Sequence, residues 1–170
     1  MEQPTSIFLI GPMGAGKTTI GKRLARALKR RFIDCDHEIE KRTGASIPLI
    51  FEIEGEAGFR AREKRVIDDL SQEPGIVLAT GGGAVLDADN RERLRTRGLV
   101  VYLYAPIELL AARTRNDSNR PLLQAANRAE RLREIMINRE PLYREIANLT
   151  IDTGDMAMGE IVSTIKARAS

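Results

Sequence analysis

The chain has 170 residues, 42% hydrophobic, 30% charged and 4% aromatic, with no tryptophan, one cysteine and a formal net charge of +3. This length suits one domain whose core needs no staples; a lone Cys35 excludes an internal disulfide and a cysteine zinc site, and no apolar run approaches the ~18 residues of a membrane helix. The 27 basic residues are interleaved with 24 acidic ones, and few aromatics are present to stack on bases, which points to arginines that hold small anions and away from a nucleic-acid partner.

The N-terminus, Met1-Glu2-Gln3-Pro4, is neither a basic nor an apolar leader, so a cytoplasmic chain is expected. Ser6 to Ile10 is an apolar run that ends at Gly11, and beyond a glycine-rich stretch the spacing of Ile20, Leu24, Ala27 and Leu28 predicts a helix. Phe32 and Ile33 form a second short strand stopping at Asp34. Helices are predicted over about 36–43 and over 47–69, the latter with a break near Gly55 and Gly58. Ile76 to Ala79 makes a third strand, closed by Thr80 and Gly81, and a helix over 88–97 leads to a fourth, Leu99 to Tyr104, stopped by Pro106. Helices over 107–114, 127–144 and 156–168 accompany a fifth strand at Leu149 to Ile151.

Each strand is apolar along its length instead of alternating, as strands covered on both faces of a parallel sheet are. Strands alternating with helices predict a doubly wound α/β domain: three layers, α/β/α, around a five-stranded parallel sheet. Ligands bind such sheets beyond the carboxyl ends of the strands, here marked by Gly11, Asp34, Gly81 and Pro106. Arg115 to Gln124 is polar and turn-rich between helices, the composition of a mobile lid.

Gly11-Pro12-Met13-Gly14-Ala15-Gly16-Lys17-Thr18 fits G-x-x-x-x-G-K-[ST] between a predicted strand and a predicted helix, the context the phosphate-binding loop requires. Its glycines let backbone N–H groups converge on phosphate oxygens, and the following helix adds its positive end. Gly14, Ala15, Gly16, Lys17, Thr18 and Thr19 are therefore the expected nucleotide-binding set, with Lys17 on the terminal phosphates and the Thr18 hydroxyl on Mg²⁺. No acid follows the third strand, so Asp34, after the second, is the candidate for the metal, through waters because Mg²⁺ dehydrates reluctantly. The bland alternative is that Asp34 merely ends a strand and Asp36 caps the next helix.

Four further features accompany this loop: Asp34-Cys35-Asp36, Gly58-Phe59-Arg60, Gly81-Gly82-Gly83-Ala84, and Arg120-Pro121-Leu122 followed by Asn138-Arg139-Glu140-Pro141-Leu142-Tyr143. Together, from about Ile7 to Tyr143, they resemble the shikimate kinases. The resemblance implies a P-loop NTP hydrolase fold of the nucleoside-monophosphate-kinase type in one domain, with a substrate-binding segment near 36–63 and a lid around 115–125. It implies ATP and shikimate as small-molecule substrates, Mg²⁺ as cofactor and a monomer. Asp36 would bind the acceptor hydroxyl, Arg60 and Arg139 the acceptor carboxylate, and Gly82 and Gly83 would bring bare backbone to the ring. Arg120 would reach the ATP phosphates from the lid, making Lys17, Asp36 and Arg120 the catalytic set, and Arg113 would stack on adenine.

Planar guanidinium groups can give a carboxylate two parallel hydrogen bonds, which fits paired arginines. Arg62, Lys64 and Arg65 read as a solvated helix face, and Cys35 and His37 as structural. The chain departs from the family after Asp152-Thr153, where some members carry a polar or cationic side chain against adenine; Met156 can pack on the base without donating to it. The rival readings are a gluconate or nucleoside-monophosphate kinase and a non-catalytic nucleotide-binding module.

Overall fold

Unbroken apolar strands need cover on both faces, and the protein supplies it. The computed structural model describes residues 3–115 and 127–170. Five parallel strands, β1 Ser6–Ile10, β2 Phe32–Asp34, β3 Val77–Ala79, β4 Gly98–Tyr104 and β5 Leu149–Asp152, lie in the order β2-β3-β1-β4-β5. Seven helices connect and cover them among the described residues: α1 Lys17–Leu28, α2 Cys35–Thr43, α3 Ile47–Leu70, α4 Ala88–Arg97, α5 Ile107–Thr114, α6 Arg128–Ile146 and α7 Met158–Ala169.

Side chains along β1 alternate between two buried apolar cores. Ile7 and Leu9 pack with Ile20 and Leu24 of α1, Leu110 of α5 and Ile161 and Ile165 of α7. Phe8 and Ile10 pack with Ile39 of α2, Phe59 and Ile67 of α3 and Leu94 of α4. Helix α6 serves both, giving Leu132 and Ile135 to the first core and Met136, Tyr143 and Ile146 to the second. The three-layer expectation therefore holds. No helix among the described residues is long and apolar enough to cross a membrane.

Two local expectations are corrected. The long helix α3 breaks only at Gly55, whose φ of 72° and ψ of −179° are not helical, while Gly58 continues the helix. And α2 starts one residue early because Asp34, not Asp36, is its cap: Oδ1 of Asp34 accepts the backbone N–H groups of Asp36 at 2.9 Å and His37 at 3.2 Å. Apart from Arg115, the predicted lid with Arg120 lies outside the described residues.

Helix α1 crosses β2 at Gly21, where a Cβ would stand 3.0 Å from Phe32 Cδ2 and 3.2 Å from Leu9 Cδ1. Alanine is ordinarily better than glycine inside a helix by about 1 kcal/mol, but overpacking costs about 1–3 kcal/mol. Gly21→Ala should therefore lower the urea midpoint, with a net loss of up to about 2 kcal/mol; a raised midpoint would show that the contact yields.

Candidate active site

The carboxyl ends of β1, β2 and β3 meet at one edge of the sheet. After β1 the chain turns through Gly11, Gly14 and Gly16, whose φ angles of 146°, 84° and 98° suit glycine. A Cβ on Gly11 would sit 2.5 Å from the Leu103 carbonyl oxygen, so the loop can pass there only as bare backbone. Gly16 caps α1 without a side-chain hydrogen bond, which leaves the helix's first N–H groups and its positive end for an anion. The buried Lys17 Nζ donates to the carbonyls of Gly11 at 2.6 Å and Pro12 at 2.9 Å, spanning its own loop.

Thr18 Oγ1 donates to Asp34 Oδ2 at 2.7 Å. Since Oδ1 of Asp34 holds the α2 cap, Oδ2 and the Thr18 hydroxyl form the hard-oxygen pair beside the loop. Among the described residues no three His, Cys, Asp or Glu side chains cluster as a metal cage. That sparse donor set fits Mg²⁺, which keeps several of its waters and takes few protein ligands. Asp36 lines the same cleft as Lys17, Thr18, Thr19 and Asp34.

At the cleft's other end, Arg113 of α5 donates from Nη1 to the Gly14 carbonyl and to Thr153 Oγ1, each at 3.1 Å. It thus ties the phosphate loop to the turn after β5, with Met156 and Met158 alongside. The departure noted at Met156 therefore falls inside the cleft, as a nonpolar wall.

Beyond β3, Gly81, Gly82 and Gly83 form a floor that a different charged group approaches at each residue. A Cβ on Gly81 would lie 2.6 Å from Glu63 Oε2 and 3.1 Å from Asp36 Oδ1; on Gly82, 3.4 Å from Arg139 Nη1; on Gly83, 2.6 Å from Arg60 Cζ. The expected residues Asp36, Arg60, Gly82, Gly83 and Arg139 are therefore together. Gly82 also abuts the phosphate loop, its Cβ position being 3.6 Å from the Gly11 carbonyl oxygen and from the Met13 nitrogen. Arg62 and Lys64 point the other way, into ion pairs with Glu54 and with Asp87 and Asp89, and Cys35 is fully buried while His37 is exposed.

Sequence reasoning missed Glu63. It is 1% exposed, and one oxygen accepts from Arg60 Nη1 at 3.0 Å. Its other oxygen, like Arg139 Nη1, has no hydrogen-bond partner among the described residues. Burial, with Asp36 nearby, pushes the Glu63 carboxyl up to about 7 although Arg60 and Arg139 oppose the shift. Burial likewise lowers the Arg139 guanidinium, with Arg60 beside it adding to the effect. The signal was available: Glu63 continues the apolar stripe of Phe59, Val66, Ile67 and Leu70, so it had to face inward.

The raised Glu63 value has a testable sign. Folding favours the neutral carboxyl, so this stabilisation is complete below the ordinary 4.5 and is lost as pH climbs through about 7. Urea unfolding should show the wild type losing on the order of 3 kcal/mol relative to Glu63→Gln across that interval. Parallel pH profiles for the two proteins would refute the assignment.

Comparison with known proteins agrees with this geometry. A family model described as shikimate kinase matches residues 13–170. The chain is 58% identical over 159 residues to a shikimate kinase of Bordetella pertussis, covering 94% of this chain and 75% of that one. It is 55% identical over 164 residues to one of Acinetobacter baumannii, covering 96% and 91%. A solved shikimate kinase from Acinetobacter baumannii in complex with shikimate superposes with a TM-score of 0.94 at 53% identity, covering 97% of this chain and 92% of that one. A gluconokinase from Sinorhizobium meliloti, at a TM-score of 0.67 and 19% identity over 99% of this chain and 93% of that one, shares the fold alone. A phosphate loop and a glycine floor flanked by paired arginines at one sheet edge, with a family match over residues 13–170, place the chain in the shikimate kinase family.

Proposed function

We propose that the protein transfers the γ-phosphoryl group of ATP to the 3-hydroxyl of shikimate, giving shikimate 3-phosphate and ADP on the route to chorismate and the aromatic amino acids. The observation that carries this reading is Gly82: its backbone adjoins both the phosphate loop and Arg139. A donor nucleotide and an anionic acceptor bound on either side of it would face each other within one cleft.

Phosphoryl transfer asks little covalent chemistry of the protein; it needs the acceptor oxygen in line with phosphorus and positive groups where negative charge spreads. Lys17 and the loop N–H groups meet the second need, joined by Arg120 of the lid segment. Asp36 meets the first: its carboxylate orients the acceptor hydroxyl and holds the proton released as the new O–P bond forms. Arg60 and Arg139 take the acceptor carboxylate, against the backbone of Gly82 and Gly83. Bound between Thr18 and Asp34, Mg²⁺ would neutralise charge on the terminal phosphates. Arg113 supports the base, with Met156 as an apolar wall. The chain acts as one domain, in which 36–63 binds the acceptor and 115–125 covers the donor. It is read as a cytoplasmic monomer, for which light scattering should return 18.9 kDa.

Release of ADP in the presence of shikimate, quinate, gluconate and nucleoside monophosphates tests the whole reading. Stimulation by shikimate is expected; a gluconate kinase responds to gluconate instead, and a binding module to none. Asp36→Asn should cut kcat by about 10²–10⁴ with ATP binding little changed, because an amide cannot take the proton; unaltered turnover removes Asp36 from that role. Arg139→Ala should raise KM for the acid by roughly 10–100-fold, the worth of a charge-assisted hydrogen bond, and an effect on ATP alone would move Arg139 to the nucleotide.

A further inference from the structure

Arg139 and Gly82 come from distant parts of the chain, and the helix that carries the first also holds the second through Tyr143. Tyr143, four residues along α6 from Arg139 and so on the same face, is completely buried. Its hydroxyl donates to the Gly82 carbonyl at 2.5 Å. Its ring stacks on Tyr102 of β4 at a centroid distance of 5.0 Å. The Tyr102 hydroxyl in turn donates to Glu140, the residue next to Arg139.

We propose that Tyr143 is a positioning residue for the acceptor site: it locks the Gly82–Gly83 peptide, which lies against Arg139, into one preset orientation toward the acceptor's carboxylate. The peptide is planar and trans, so a fixed Gly82 carbonyl aims the Gly83 N–H in the opposite direction, away from Tyr143. The buried Arg139 Nη1, without a partner among the described residues, faces the same glycine floor. A peptide held this way has little freedom left to lose when it meets a carboxylate. Phenylalanine would keep the stack on Tyr102 and the packing of the ring. It would remove only the hydroxyl, so the tether can be separated from the core contribution.

This inference rests on the reading that Arg139 receives the acceptor acid, and the experiment separates the two. Shikimate-dependent ADP release by the wild type is the control; its absence defeats the functional reading itself. With that activity present, Tyr143→Phe should raise KM for shikimate roughly tenfold, as loss of a buried hydrogen-bonding group does, with kcat and KM for ATP each changing less than about threefold. An unchanged KM for shikimate, or KM values for both substrates rising together, would overturn the proposal and leave Tyr143 a core residue only. If Tyr143→Phe does not fold, the wild type decides by NMR: the Tyr143 hydroxyl proton should exchange far more slowly than that of the half-buried Tyr104. Equal exchange rates would overturn the proposal on their own.

Discussion

Bare backbone at Gly81, Gly82 and Gly83 lets four ionisable side chains converge where a Cβ on Gly81 or Gly83 would push them apart. Two are acidic, Asp36 and Glu63, both against Gly81, and two basic, Arg139 against Gly82 and Arg60 against Gly83. Removing charges from water is costly unless they are paired and hydrogen-bonded. The cost shows on both signs at once: burial drives Glu63 toward its neutral form and Arg139 toward its own. A carboxylate entering such a cluster finds donors that have already lost their water, so it displaces little solvent to make strong contacts.

Sheet topology brings this floor to the phosphate loop. Strand β3 lies between β2 and β1, with Ala79 paired to Asp34 on one side and to Leu9 on the other. Gly11 and Gly81 therefore each stand two residues beyond a shared rung of the ladder. Parallel pairing requires a long crossover between neighbours, which is why residues so far apart in the chain meet at one edge. Helix α6 completes the arrangement from outside the sheet. It delivers Arg139 and Tyr143 on successive turns and is fastened to β4 through the Tyr102–Tyr143 stack and the bond from Tyr102 to Glu140.

Where the sequence was hard to read, the difficulty was one of direction. Arg60, Arg62, Glu63, Lys64 and Arg65 stand almost side by side on α3, and composition alone makes them a solvated face. Packing sorts them. Phe59, Val66 and Ile67 must enter the core, so Glu63 follows them inward with Arg60 beside it, while Arg62 and Lys64 turn out to surface ion pairs. Asp34 illustrates a different limit: one oxygen caps α2, a task that sequence reading had weighed for Asp36, and the other meets Thr18. Gly55 and Gly58 looked equivalent as breaks, yet only Gly55 leaves helical angles.

By itself the sequence determined the order and approximate bounds of strands and helices, because burial on both faces imposes long apolar runs. It also determined the phosphate loop, because backbone that must wrap an anion needs glycine at fixed spacing. Tertiary structure alone decided which charged residues leave water. That depends on how α2, α3 and α6 rotate against the sheet, and a stripe of charges carries no record of that rotation until apolar neighbours are packed. The partnership of Glu63 with Arg60, and of Tyr143 with Gly82, exists only once those helices have docked.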